Sequence, residues 1–195
     1  MSYRIASIRQ REKIYLAAAR LFSQKGYMAT SLENIAKVSK CNKASIHYYF
    51  RTKSALLYEI ATRSIQEVMG LASPVLDSDL PPVKKLKALV INHLEWEMTN
   101  AGFAGIRDTE RKNLTPKQLR AYLKMRDEYE QIFRKVIEAG IVEKEFQTVD
   151  PNLISMFILG LMGSVMRWYK PGGKLTPNEI ALKAWDLISQ GLAKR

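Results

Sequence analysis

Residues 43–50 read Lys43-Ala44-Ser45-Ile46-His47-Tyr48-Tyr49-Phe50. Ile46 and Phe50 stand four apart, so a helix here turns both inward. Lys43, Ser45, His47, Tyr48 and Tyr49 remain on the outer surface. Asn42 supplies an oxygen that caps the helix start. Just upstream, Leu32, Ile35 and Ala36 mark a second short helix. Thr30-Ser31-Leu32-Glu33 reads as its capping box, with the Thr30 oxygen on the N–H of Glu33 and the Glu33 carboxylate reaching back. Two short helices joined by a tight turn form a helix-turn-helix, whose second helix fits a major groove ~12 Å wide.

The flanking sequence supports this motif. Ile14, Ala17, Ala18, Leu21 and Phe22 fall on one helical face, and Gly26 follows where a helix end needs positive φ. Thr52 caps a longer helix whose apolar positions are Leu56, Leu57, Ile60, Ala61, Val68 and Met69. Ser73-Pro74 and Leu80-Pro81-Pro82 punctuate the chain and predict a link between a four-helix head and a body. In the body, Thr115-Pro116, Asp150-Pro151 and Thr176-Pro177 each set a capping oxygen before a proline at the first helical position. Gln118 and Glu179 complete two capping boxes, and Gly140 is placed to end the helix begun at Pro116. No alternating strand and no repeat is evident. The prediction is an all-α chain of about nine helices, with a head at 1–54 and a body at 55–195.

Charge points to a polyanion. The 195-residue chain carries a formal net charge of +12. Residues 1–69 hold twelve Lys or Arg against four Asp or Glu, so most of the surplus lies in the first third. A field of that sign attracts nucleic acid or an anionic membrane. The basic segment reads as a compact bundle rather than a membrane-surface helix with exposed large apolar residues, which favours nucleic acid. Leu153–Met166, the most apolar stretch, is shorter than the ~20 residues of a membrane span. A single cysteine, Cys41, excludes an intrachain disulfide and suits a reducing, cytoplasmic setting. Cys41 reads as a small buried residue of the turn. His47 lacks Cys or carboxylate at ligand spacing, so no metal and no cofactor is expected. Two isolated His and no Gly-rich phosphate loop leave no catalytic set, and the expectation is a non-enzyme.

The sequence resembles the TetR family of bacterial regulators. The resemblance rests on Ala18, Leu21-Phe22, Gly26-Tyr27, Thr30-Ser31, Ile35-Ala36, residues 43–50 and Lys53. It implies a helix-turn-helix within a three-helix bundle, and a fourth helix leading to an all-α ligand-binding and dimerisation body. Three positions depart from the family's usual pattern: Lys40 replaces Gly in the turn, Cys41 replaces Val, and Ala44 replaces Gly. A Lys at positive φ would carry strain of order 1 kcal/mol, so the alternatives are a slightly different turn here or a Lys40 kept as a phosphate contact. In the body, the run from Arg167-Trp168-Tyr169 to Glu179-Ile180-Ala181 is similar to TetR regulators of fatty-acid or steroid degradation that answer acyl-coenzyme A thioesters. So is Arg126-Asp127-Glu128-Tyr129-Glu130 with Phe133, Gly140 and Asp150-Pro151. Other members have Asn-Trp near Gly163-Ser164.

These readings give an expected division of labour. Ser45, His47 and Tyr48 approach base edges of an operator duplex. Lys43, Tyr49 and Lys53 hold phosphate, helped by Thr30 or Ser31 at a helix start. Gly160, Gly163 and Ser164 let a second helix approach closely, and with Trp185 and Ile188 they form a homodimer interface. Trp96, Phe103, Phe133, Met162 and Met166 line a pocket for a small-molecule effector, with Arg107, Arg111 and Arg126 for coenzyme A phosphates; each of these singly also suits plain core or surface. Met156 and His93 stand in the same position. The expected function is a dimeric repressor released by an acyl-coenzyme A. A repressor sensing a non-thioester drug or metabolite stays open, as does a helical carrier of lipophilic ligand.

Overall fold

A computed structural model describes residues 2–101, 106 and 109–193. The described residues form eight α-helices and no strand. In chain order they are α1 (Ser2–Lys25), α2 (Leu32–Ser39), α3 (Lys43–Phe50), α4 (Lys53–Leu76), α5 (Pro82–Thr99), α6 (Pro116–Val142), α7 (Pro151–Trp168) and α8 (Pro177–Leu192). A 3-10 turn at Arg111–Asn113 precedes α6. The predicted all-α class is what the fold shows. The chain falls into two compact units: Met1–Ser64 with Gly102–Leu123, and Ile65–Ala101 with Lys124–Arg195.

The first unit is organised by the apolar face of α1. Ile14, Ala17, Ala18, Leu21 and Phe22 are all buried, as are Ile35 of α2, Ile46 and Phe50 of α3, and Leu56, Leu57 and Ile60 of α4. Gly26 follows the end of α1 at φ 81°. Asn42 caps α3 by accepting from the Ser45 N–H, and Thr52 accepts from the Ala55 N–H. The cap of α2 differs from the expected one. Ser31, not Thr30, accepts from the N–H of Asn34, and Asn34 returns the bond to the Ser31 N–H. Thr30 is only 1% exposed and its hydroxyl donates to the carbonyls of Leu21 and Gly26. Its hydroxyl hydrogen is therefore spent inside.

In the second unit α5 packs on α8 and on α7, and α7 on α8. Leu86, Leu89, Val90 and Leu94 of α5 are buried, with Phe133 and Ile137 of α6, Met162 and Val165 of α7, and Ala181 and Trp185 of α8. The proline starts behave as the sequence suggests. Asp150 caps α7, and the Thr115–Gln118 and Thr176–Glu179 pairs are reciprocal. Two expectations fail. Pro74 does not break α4, which runs on to Leu76, because a proline two residues from a helix end removes one bond in a turn that is already ending. Gly140 does not end α6 either. The helix reaches Val142, and Lys144 takes the left-handed conformation at φ 61°. Gly140 is needed for space: a Cβ there would lie 2.3 Å from the Phe146 ring.

Candidate DNA-binding interface

Seen from its residues, α3 is a helix fixed on one side and open on the other. Ile46 and Phe50 anchor it at 1% and 4% exposure, while Tyr48 is 75% exposed. Tyr48 and Tyr49 meet edge to face, with ring centroids 5.0 Å apart. The Tyr49 hydroxyl lies 3.0 Å from the Ser7 hydroxyl of α1, which holds the half-buried ring at the rim of the open face. Ser45 donates its hydroxyl to Asn42 Oδ1 at 2.9 Å. Its oxygen lone pairs are the part left for a partner. His47 is exposed, and its Nδ1 lies 2.8 Å from the Arg51 carbonyl. A carbonyl only accepts, so Nδ1 carries the hydrogen and Nε2 is the atom turned outward.

The turn before α3 and the turn after it are both strained. Lys40 has φ 52° and ψ 47°, and its N–H and that of Cys41 close the end of α2 on the Ala36 and Lys37 carbonyls. Arg51 has φ 54° and ψ −51°. The Thr52 N–H reaches back to the Phe50 carbonyl at 2.5 Å, so Arg51 is the centre of a γ-turn of the rare, positive-φ kind. Each such residue costs about 1–2 kcal/mol that glycine would not. Half-buried Cys41 fills the turn, its Sγ 3.2 Å from Ser39 Oγ.

The cations of the motif are in different states. Lys43 is salt-bridged to Glu33 at 2.5 Å. That hydrogen bond, more than any other cause, holds the Glu33 carboxyl down at about 2. Lys53 donates to the carbonyls of Tyr27 and Thr30 at 2.9 and 2.8 Å, and stands over the Tyr27 ring. Two of its three N–H groups are thus engaged, leaving one for a phosphate. Lys40 and Arg51 are exposed, and neither side chain has a hydrogen bond or ion pair among the described residues. Ser31 sits exposed at the start of α2. Thr30 drops out of the expected set, because its burial hides it from a phosphate.

Sequence reading misses what braces this surface. Glu110 accepts from the Tyr27 N–H at 3.1 Å, and burial, then the Glu110 charge, push the Tyr27 hydroxyl above its usual range. Gln118 accepts from the Ser54 hydroxyl and donates to the Ser54 carbonyl. Arg11 pairs with Glu59, and Arg63 with Glu12. No sequence spacing links partners so far apart in the chain.

Of the residues expected to meet an effector, Phe103 and Arg107 lie outside the described residues. Arg111 is exposed in the 3-10 turn of the first unit, and Arg126 is exposed on α6 in the second. Phe133 and Met162 are fully buried, Met166 is half-buried, and Trp96 donates its indole N–H to Glu67 at 3.0 Å. Beside Phe133 lies a polar cluster of which the sequence singles out His93 and Tyr129 but not Glu97. His93 Nδ1 is 2.8 Å from the Tyr129 hydroxyl, and its Nε2 is 3.3 Å from Glu97, which is fully buried. The signal for Glu97 is its place four residues after His93, within an apolar stripe.

On α7, Gly160 is exposed, and Gly163 and Ser164 are half-buried. A Cβ at either glycine would meet nothing within 4 Å. Phe157, Trp168 and Leu187 are 61%, 56% and 63% exposed. Trp185 and Ile188 of the expected interface are instead 6% and 8% exposed within the chain. The stripe Ala181, Trp185, Ile188, Leu192 faces the second unit's core, and Leu187 carries the open side.

Among the described residues no helix is long and apolar enough to cross a membrane, and no group of three metal-ligating side chains gathers. A braced helix with an exposed aromatic and polar face, carried on a basic bundle, is a helix-turn-helix of the DNA-binding kind. The chain matches the family described as bacterial regulatory proteins, tetR family, over residues 14–60, and the tetracyclin repressor-like C-terminal domain over 79–192. It belongs to the TetR family of DNA-binding transcriptional regulators. The transcriptional repressor KstR2 of Rhodococcus jostii is 26% identical over 186 residues, spanning 94% of this chain and 91% of that protein. The TetR regulator PfmR of Thermus thermophilus superposes with a TM-score of 0.86 at 28% identity, covering 93% of this chain and 99% of PfmR. AibR, in complex with isovaleryl coenzyme A and operator DNA, superposes at 0.82 and shares the fold at 24% identity, over 91% and 97% of the two chains.

Proposed function

We propose that this regulator is a homodimeric repressor that leaves its operator when a coenzyme A thioester binds the body. Residues 1–54 serve DNA and 55–195 serve the ligand and the partner chain. The observation that carries the DNA part is the anchored α3, with Tyr48 held three-quarters exposed while Ile46 and Phe50 are buried beneath it. Ser45, His47 and Tyr48 read bases, and Lys43, Tyr49, Ser31 and the spare N–H of Lys53 hold phosphate. Thr30 is left out of this set.

The open apolar face of α7 and α8 supports the dimer, since exposed side chains as large as Phe157, Trp168 and Leu187 in one region mark an interaction surface. The thioester reading is supported by the C-terminal resemblance, and by AibR, in which the same fold holds isovaleryl coenzyme A. Such a ligand acts by binding the DNA-incompetent dimer more tightly than the competent one. A hundredfold release requires about 2.7 kcal/mol of difference.

The test begins with selection of binding duplexes from a random pool. The selected complex is then titrated with acyl-coenzyme A thioesters of rising length. Release that deepens with chain length is expected. Release only by an uncharged aromatic compound, with none by any thioester, overturns the effector. No retained duplex overturns the whole reading.

A further inference from the structure

We infer that Lys40 and Arg51 are phosphate clamps that bracket the recognition helix, a role that rests on the DNA-binding reading above. Both residues hold positive φ, at 52° and 54°, where a side chain is a liability and glycine is free. Neither is placed there by packing, since both are exposed, and neither side chain has a hydrogen bond or ion pair among the described residues. A strained backbone that carries an unengaged charge at a functional surface is the pattern expected when the charge itself is used.

Position gives the use. Lys40 lies in the turn two residues before the Asn42 cap of α3, and Arg51 directly follows its last residue. The major groove, ~12 Å wide, admits a helix by its diameter of about 10–12 Å, and its two walls are the phosphate backbones. A long cationic side chain leaving the turn at either end of the eight-residue α3 is therefore within reach of a groove wall. The other cations of the motif are less free. Lys43 is tied to Glu33 and Lys53 to two carbonyls. Lys37 is exposed but sits in regular helix and bears no backbone cost. The His47 ring, hydrogen-bonded to the Arg51 carbonyl at 2.8 Å, fixes the strained turn from the helix side, so the Arg51 side chain leaves from a rigid base.

The full-length chain and its Lys40→Gly, Arg51→Gly and Lys40→Asn variants test this. Glycine should leave the melting temperature at or above the parent's, because strain is relieved. The same variants should bind selected and unrelated duplexes about tenfold more weakly. The slope of log affinity against log salt should become shallower by about 1.8 for each position changed, because both chains of the proposed dimer lose a contact. Asn tolerates the left-handed region without glycine's freedom, so Lys40→Asn separates lost charge from added flexibility. Lys40→Arg and Arg51→Lys should retain the parent slope. Unchanged affinity and slope in the glycine variants overturn the clamps while leaving the regulator reading intact. So does weakening confined to the selected sequence, with the slope unchanged. A parent that binds no duplex overturns both.

Discussion

Lys53 Nζ stands 4.1 Å from the centroid of the Tyr27 ring while it donates to the Tyr27 carbonyl. One ammonium thus ties the start of α4 to the loop between α1 and α2. That loop carries Thr30, whose carbonyl takes a second Lys53 hydrogen at 2.8 Å. The cation serves the frame of the motif before it serves any phosphate.

Lys53→Ala therefore removes two charge-assisted bonds, takes the Lys53 donor from the part-buried Thr30 carbonyl and leaves the Tyr27 carbonyl with the Thr30 N–H alone. A loss of about 2 kcal/mol is expected. Urea unfolding followed by circular dichroism reads it. A midpoint unchanged within error would mean that the Tyr27 and Thr30 carbonyls do not depend on this lysine.

Glu33→Gln acts in the opposite sense on DNA. It breaks the pair with Lys43 and removes an exposed carboxylate beside the start of α3. Duplex binding should tighten several-fold, with a steeper salt slope. The carboxyl is held at about 2 against an ordinary 4.5, so the pair's contribution is complete above about pH 4.5 and is lost as pH falls toward 2. Between pH 5 and 8 the parent and variant affinities should keep a constant ratio. A ratio that drifts with pH in that range would assign the effect to another group.

Gly163→Leu tests the dimer. A Cβ at Gly163 meets nothing within 4 Å in the single chain, so the fold should survive the substitution. In the proposed dimer a partner helix would lose its close approach. Sedimentation should show monomer at micromolar concentration, with helical content intact. A variant that stays dimeric moves the interface away from this face of α7.

Gly140→Ala sets two effects against each other. Alanine favours a helix interior by about 1 kcal/mol over glycine. Its Cβ would overlap the Phe146 ring at 2.3 Å, an overpacking worth roughly 1–3 kcal/mol. A net loss of stability is expected. In a Phe146→Leu background the overlap eases and the same change should be neutral or stabilising. A loss of equal size in both backgrounds would remove the ring as its cause.

Local signals in this chain are readable, while signals that join distant segments are not. The faces of α1 and α3, the Asn42 and Thr52 caps and the proline starts of α6, α7 and α8 follow from residues within one or two turns of each other. The α2 cap is ambiguous by one residue in sequence, because Thr30-Glu33 and Ser31-Asn34 both satisfy a capping pattern. Burial of Thr30 decides between them. Trp185 reads as a dimer-face residue because α8 has apolar residues on two sides. Only packing with α5 tells the inner stripe from the outer. Lys53 reads as a free charge, and the two carbonyls that claim it lie more than twenty residues upstream.

The chain leaves the first unit at Ser64 and re-enters it from Gly102 to Leu123. Glu110 and Gln118, on the returning segment, bond to Tyr27 and Ser54. A reporter chimaera that grafts only the first fifty-odd residues onto another sensor would leave the Tyr27 N–H and the Ser54 hydroxyl without these acceptors. A fusion that keeps both bonds carries the returning segment as a second, non-contiguous insert. In this chain the unit around the motif is contiguous in space and interrupted in the gene.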